Sequence, residues 1–340
     1  MKNGVVATLL ALVLLVPATF ADEGIGIFET VLESSVSFSE TNAALQQAIA
    51  DSGLQLHASH DVRVPYDRHQ ARIYVLTAPA FVDAATAESP RTISAQILRV
   101  AVFTAGAEQK TFINMANPVA HAMVYYAESS NYDTLIAAAN DVAEQIRQLV
   151  KAVPGKALSV QAEPRRSEKH YRKFKGDGPA RMMAKFRTWN KSQLPITMGT
   201  VDTFDRMVEH VAAVLEAGTI AGAEEAEGWE VIARIQLRDD AVYFGLTNPF
   251  IEDKMIRINS RFRSDAIEGA APFPGVDHVA ALPTDLLVVD DGYETLVLHY
   301  GQMWRMQLYF WDSGYRAFTA NVGVPSKIAN SIEAAVTAPR

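Results

Sequence analysis

Residues 71–83 and 241–253 carry one pattern at a fixed spacing of 170 positions, with no gap. The first reads Ala-Arg-Ile-Tyr-Val-Leu-Thr-Ala-Pro-Ala-Phe-Val-Asp, the second Ala-Val-Tyr-Phe-Gly-Leu-Thr-Asn-Pro-Phe-Ile-Glu-Asp. Ala71/Ala241, Leu76/Leu246, Thr77/Thr247, Pro79/Pro249 and Asp83/Asp253 coincide. Each is an apolar strand-like run that stops at Thr-x-Pro. Proline has no N–H to lose in the first turn of a helix, and its φ is already helical, so a helix should follow. A chain with this junction twice is read as two copies of one unit.

The flanking sequence repeats as well. Val36–Gly53 and Phe204–Gly218 read as amphipathic helices. Ser37 with Glu40 forms a capping box in the first, and Asp202 or Thr203 caps the second. The helix faces are Leu45, Ala48 and Ile49, then Val208, Val211, Val214 and Leu215. Alternating strands follow at Leu54–His60 and Trp229–Leu237. Beyond each Thr-x-Pro come hairpins, Ile97–Phe103 with Thr111–Met115 and Leu286–Val289 with Thr295–His299. Asp290-Asp-Gly292 marks the second turn, where glycine supplies a positive φ. Helix-like stretches end at Tyr125-Tyr126 and Tyr309-Phe310. Terminal helices run about Asp133–Val153, with Leu135, Val142, Ile146, Leu149 and Val150 inward, and about Pro325–Val336.

The N-terminus reads as an export leader. Lys2, the apolar run Gly4–Val16, Pro17 and the small-x-small site Thr19-Phe20-Ala21 predict cleavage after Ala21 and a periplasmic or secreted protein. The run is shorter than the roughly 20 residues that span a bilayer, so no transmembrane span is expected after cleavage. The net charge of −8 argues against nucleic acid as a general partner. Cysteine is absent, which removes disulfides, thiol nucleophiles and cysteine-bound clusters. The expected divisions are leader 1–21, first domain 22–155, connector 156–197 and second domain 198–340. Within the connector, residues 163–191 hold ten Lys or Arg against three acids. They read as a solvated connector, or as a docking arm for an acidic protein or an anionic surface. Arg181–Trp189 has helical spacing, with Met182, Met183, Phe186 and Trp189 apolar.

Leu246-Thr-Asn-Pro249, followed by Leu282-Pro-Thr-Asp-Leu-Leu-Val-Val-Asp-Asp-Gly292, resembles the family known as domain of unknown function 302. The first unit departs from that pattern, with Thr77-Ala-Pro79 and with Ile93-Ser-Ala-Gln-Ile-Leu-Arg-Val100 where Leu-Pro is expected. The resemblance spans about 36–153 and 198–337. It implies an α+β fold of two related domains, each a small, mostly antiparallel sheet covered by helices. It also implies that these are arranged as a tandem pseudo-dimer, and it implies no particular activity.

Catalytic signatures are sparse. No Gly-x-Ser-x-Gly, phosphate loop or dinucleotide fingerprint occurs, and no cofactor is indicated. His57 and His60 fall on opposite faces of a regular strand. A metal site there would need a bulge, plus His69 and Asp61 or Asp67. Met303/Met306 and Met182/Met183 could serve soft ions such as copper, but suit packing better, so no metal site is assigned. The strongest site is positional. The strand-to-helix junctions expose helix N-termini, where free N–H groups favour anions or carbonyls. The candidate ligand-binding residues there are Asn117, His121, Asn248, His299, Trp304 and Arg305. The expected function is an exported, non-catalytic binding or accessory protein, with a small ligand at a domain junction. The alternatives are a periplasmic enzyme acting through His299 and Arg305, and a metal carrier.

Overall fold

The computed structural model describes residues 24–64, 69–174, 176–177, 192–198, 203–216, 228–266 and 275–337. The leader, Met182, Met183 and the Arg181–Trp189 stretch lie outside them. The fold is α+β, with two antiparallel sheets covered by helices.

The first unit contains β1 (Phe28–Ser34), α1 (Phe38–Ala50), β2 (Gln55–Val62), β3 (Ala71–Thr77) and α2 (Pro79–Ala84). A 3-10 turn (Pro90–Gln96), the hairpin β4 (Leu98–Ala105) and β5 (Lys110–Ala116), α3 (Pro118–Tyr125) and α4 (Tyr132–Leu149) follow. Next come β6 (Gly155–Gln161) and the short α5 (Glu168–Arg172). The second unit has β7 (Gln193–Ile196), α6 (Phe204–Glu216), β8 (Glu230–Arg238), β9 (Ala241–Thr247) and α7 (Pro249–Ala266). A 3-10 turn (Val276–Ala281) leads to β10 (Thr284–Asp290) and β11 (Thr295–Tyr300). Helices α8 (Gln302–Phe310), α9 (Gly314–Asn321) and α10 (Val324–Val336) complete the chain.

Local chemistry explains the element ends. Ser37 and Glu40 form the expected capping box on α1. Thr203 accepts the Arg206 N–H at the start of α6. Both Thr-x-Pro junctions start helices at the proline. Gly292 takes φ +84° in the hairpin turn, and Asp290 accepts its N–H at 2.9 Å. The α4 residues Leu135, Val142, Ile146 and Leu149 are buried, as are Val208, Val211, Val214 and Leu215 of α6.

The sheets run β2-β3-β4-β5-β1-β6 and β7-β11-β10-β9-β8. The runs β2 to β5 and β8 to β11 therefore have the same order. They also share a bulge, between Leu56 and Ala58 in one and between Val231 and Ala233 in the other. Three strands were not read from the sequence. β1 sits inside the first sheet, between β5 and β6. β6 and β7 occupy the two ends of the stretch expected as connector and are edge strands of the first and second sheets.

The units pack reciprocally. The 3-10 turn of the first lies on β9 and β10 of the second, and the 3-10 turn of the second lies on β3, β4 and β5 of the first. Buried apolar residues from both units form one continuous core. No helix among the described residues is long and apolar enough to cross a membrane.

Candidate functional site

Strand register brings a set of polar side chains together between the two sheets. Leu76 pairs with Leu98 in the first sheet, and Leu246 pairs with Thr284 in the second. The next residue along β4 is Arg99, and the next along β10 is Asp285. These two therefore hold matching positions in their sheets. They face each other as an ion pair, and both side chains are fully buried. Tyr243 donates to Asp285 Oδ1 at 2.8 Å. Arg99 also donates to the Tyr309 hydroxyl at 3.4 Å, which lies 2.9 Å from His121 Nε2.

The electrostatics follow from burial. Burial would lower the pKa of the Arg99 guanidinium, but Asp285 and the neighbouring tyrosines outweigh it and hold it well above the usual value. Burial, reinforced by Arg99 and Arg305, drives His121 well below the usual imidazole range. A neutral His121 can then accept from Tyr309. Burial also raises the pKa of the Tyr309 hydroxyl. The Arg99–Asp285 pair is thus bonded to neutral hydrogen-bonding groups and closed to solvent.

The register extends to the helices. Val100 pairs with Met115, and Leu286 pairs with His299. Counting on from these partners, His121 matches Arg305 and Tyr125 matches Tyr309. In α3 the His121 and Tyr125 rings meet edge-on at 6.1 Å. In α8 the Arg305 guanidinium lies 5.6 Å from the Tyr309 ring centre.

Of the residues expected from sequence, His121, Trp304 and Arg305 reach this region. Trp304 packs edge-on to Tyr125, with ring centres 6.1 Å apart. Its Nε1 has no hydrogen-bond partner among the described residues. Arg305 donates to the carbonyl of Ala281 at 2.9 Å, and so holds the end of a 3-10 turn. The others serve local structure. Asn117 accepts the Val119 N–H at 3.0 Å, and Asn248 accepts that of Ile251 at 2.9 Å; both are helix caps. His299 contacts the carbonyl of Tyr300, 3.0 Å from its Nδ1. Sequence reading missed Arg99, Asp285 and Tyr243. The signal for Arg99 and Asp285 was a charge at the second position of a strand whose next residues are apolar, which has to be paired if it is buried; Tyr243 carried no such signal.

His57 and His60 have separate partners. β2 carries a bulge at His57, but His57 goes to Thr77 at 2.8 Å and His60 to Glu252 at 2.7 Å. No group of three or more His, Asp or Glu among the described residues is placed to hold a metal. Met303 and Met306 pack in a small apolar cluster with Phe318.

His278 is buried between two acids, with Nδ1 3.2 Å from Asp277 and Nε2 2.9 Å from Asp312. Burial would lower its pKa, but Asp312 and then Asp277 outweigh that and lift it to about 9. The folded value is thus above the ordinary one near 6.5. The stabilisation it brings is complete below about pH 6.5 and is lost as pH rises through about 9. An NMR titration of the His278 ring is expected to show a midpoint near 9. A midpoint at or below the ordinary histidine value would contradict the ion-paired geometry.

A cleft of about 280 Å³ opens beside the closed network, lined by the first unit and its trailing α5 except for Gln193 of the second. Tyr125, Tyr126, Tyr171 and Phe174 supply its aromatic walls, Thr92 comes from the first unit's 3-10 turn, and Gln193 comes from β7. Glu88 and Arg172 bring both signs of charge to its rim. Glu88 accepts from Ser129 at 2.8 Å, and Arg172 donates to the Ala127 carbonyl at 3.1 Å. A second cavity, beside Arg305, measures only about 50 Å³.

No family model matches this sequence, and no curated protein matches it. Among solved structures, the chain is similar to an uncharacterized conserved DUF302 protein from Bacillus stearothermophilus. The match has 14% identity, covers 37% of this chain and 98% of that one, and has a TM-score of 0.31.

Proposed function

We propose that this chain is an exported, non-catalytic binding module made of two copies of one unit, and that a small ligand occupies the cleft where β7 of the second meets α3 and α5 of the first. The observation that carries this reading is the cleft itself. Its volume is about 280 Å³, close to the lower end of small-molecule sites at roughly 300 Å³. Its aromatic walls offer flat apolar surface, and Thr92, Gln193, Glu88 and Arg172 offer polar contacts from several directions. That chemistry suits a small polar molecule with a flat face, neutral or carrying both charges.

The non-catalytic part of the reading rests on where the reactive groups lie. Arg99 and Asp285 are sealed from solvent and committed to each other. His299 contacts a backbone carbonyl and Arg305 donates to one, so neither is poised for an incoming substrate. The export assignment rests on the leader pattern, and the two-copy assignment on the repeated junction and the shared strand order. Kinship with the domain of unknown function 302 family rests on the Leu-Thr-Asn-Pro and Leu-Pro motifs of the second unit. The docking-arm alternative is less favoured, because the connector residue Arg166 is buried.

Native mass spectrometry of the protein taken from its own periplasm tests this reading. A bound small molecule is expected on the parent protein. Ala127 lines the cleft, so Ala127→Trp should fill it, remove the bound mass and leave stability within about 0.5 kcal/mol. A bare chain mass for the parent, or a bound mass untouched by Ala127→Trp, would overturn the assignment.

A further inference from the structure

The contact between the units has one feature that two identical units could not have. Some of its bonds end on a backbone carbonyl and so are indifferent to the accepting residue's side chain. Asn114 of β5 donates to the carbonyl of Asp277, and Tyr300 of β11 donates to that of Arg91 at 3.0 Å. By the register above, Arg91 and Asp277 hold matching positions in the two 3-10 turns. Each turn thus offers a backbone carbonyl to the other unit's last hairpin strand. The Arg99–Asp285 pair is different. Its members also hold matching positions, but they carry opposite charge and meet with no solvent access.

We propose that this pair makes the buried face selective, so that a first unit accepts only a second unit, whether from the same chain or from another copy. Across this face, two first units would bring two guanidiniums together and two second units would bring two carboxylates together. A buried like-charge pair has no counter-ion and no water to relieve it. The surroundings are differentiated to match. Tyr243 donates to Asp285, whereas Ile73 holds the matching position on β3. The partner that fits the face is therefore a unit of the opposite charge type. The inference draws on strand register and charge and is independent of any ligand in the cleft.

Full-length charge variants test it. Arg99→Asp and Asp285→Arg each place like charges together, and each is expected to lower the folding equilibrium constant at least about 100-fold in urea unfolding. The exchanged pair, Arg99→Asp with Asp285→Arg in one chain, should recover at least about tenfold of that loss. Because Tyr243 then faces an arginine in place of Asp285, a second measurement covers poor folding of the exchanged chain. The two single variants are unfolded, mixed and refolded together, and native mass spectrometry looks for a 1:1 dimer. In that dimer the native Arg99–Asp285 pair re-forms between chains, alongside its exchanged counterpart. Recovery in the exchanged chain supports the proposal, and so does a mixed dimer that neither variant forms alone. An exchanged chain no more stable than the single variants, with no mixed dimer, overturns it.

Discussion

Arg99→Leu is expected to be among the most destabilising single substitutions in this chain, at about 3–5 kcal/mol in urea unfolding. The side chain is fully buried and its partner Asp285 is as well. Removing the guanidinium leaves a carboxylate in the core whose remaining donor among the described residues is the Tyr243 hydroxyl. The penalty is that of the orphaned charge, not of the lost contact alone. Adding Asp285→Asn should therefore recover about 2 kcal/mol or more, because the amide is neutral and still accepts from Tyr243. A loss below about 1 kcal/mol for the single variant would mean that the pair is hydrated or unformed in solution.

Arg166→Leu should cost nearly as much, about 3 kcal/mol or more. Arg166 is 2% exposed and bonds Asp177 through Nε at 3.0 Å and Nη2 at 2.7 Å. It also donates to the carbonyls of Leu308 and Gln307 at 3.2 and 3.3 Å. Those carbonyls lie in the last turn of α8, where the helix itself provides no donors. The guanidinium sits 5.0 Å from the Phe174 ring centre as well. One side chain thereby fastens the start of the connector to the second unit. With leucine, the Asp177 carboxylate keeps, among the described residues, His170 at 3.1 Å. The expected signature is a lower unfolding midpoint together with faster proteolysis within 163–191. An unchanged cleavage pattern would show that the connector is held by other contacts.

Much of the local structure was legible in the sequence. The capping box at Ser37 and Glu40, the Thr-x-Pro helix starts and the Asp-Asp-Gly turn depend on neighbours a few residues apart, and each formed as expected. The buried faces of α1, α4 and α6 followed from helical spacing, which is also a local property. β6 was not legible. Its residues are mostly exposed, so it lacks a buried-strand pattern and is a strand only because β1 is beside it. The same limit applied to the junction residues. Asn117 and Asn248 were correctly placed at helix starts, but their side chains are spent on capping.

By itself, the sequence determined the fold class and the type of most elements, because hydrophobic period, caps and turn residues act over a few positions. Only the tertiary structure decided which charges meet. Arg99 and Asp285 are 186 residues apart, and their pairing depends on strand register in two sheets and on how those sheets pack. Neither quantity is written in the few residues around each charge. The same packing brought β7 of the second unit against a cleft whose other walls, α3, α5 and a 3-10 turn, come from the first unit.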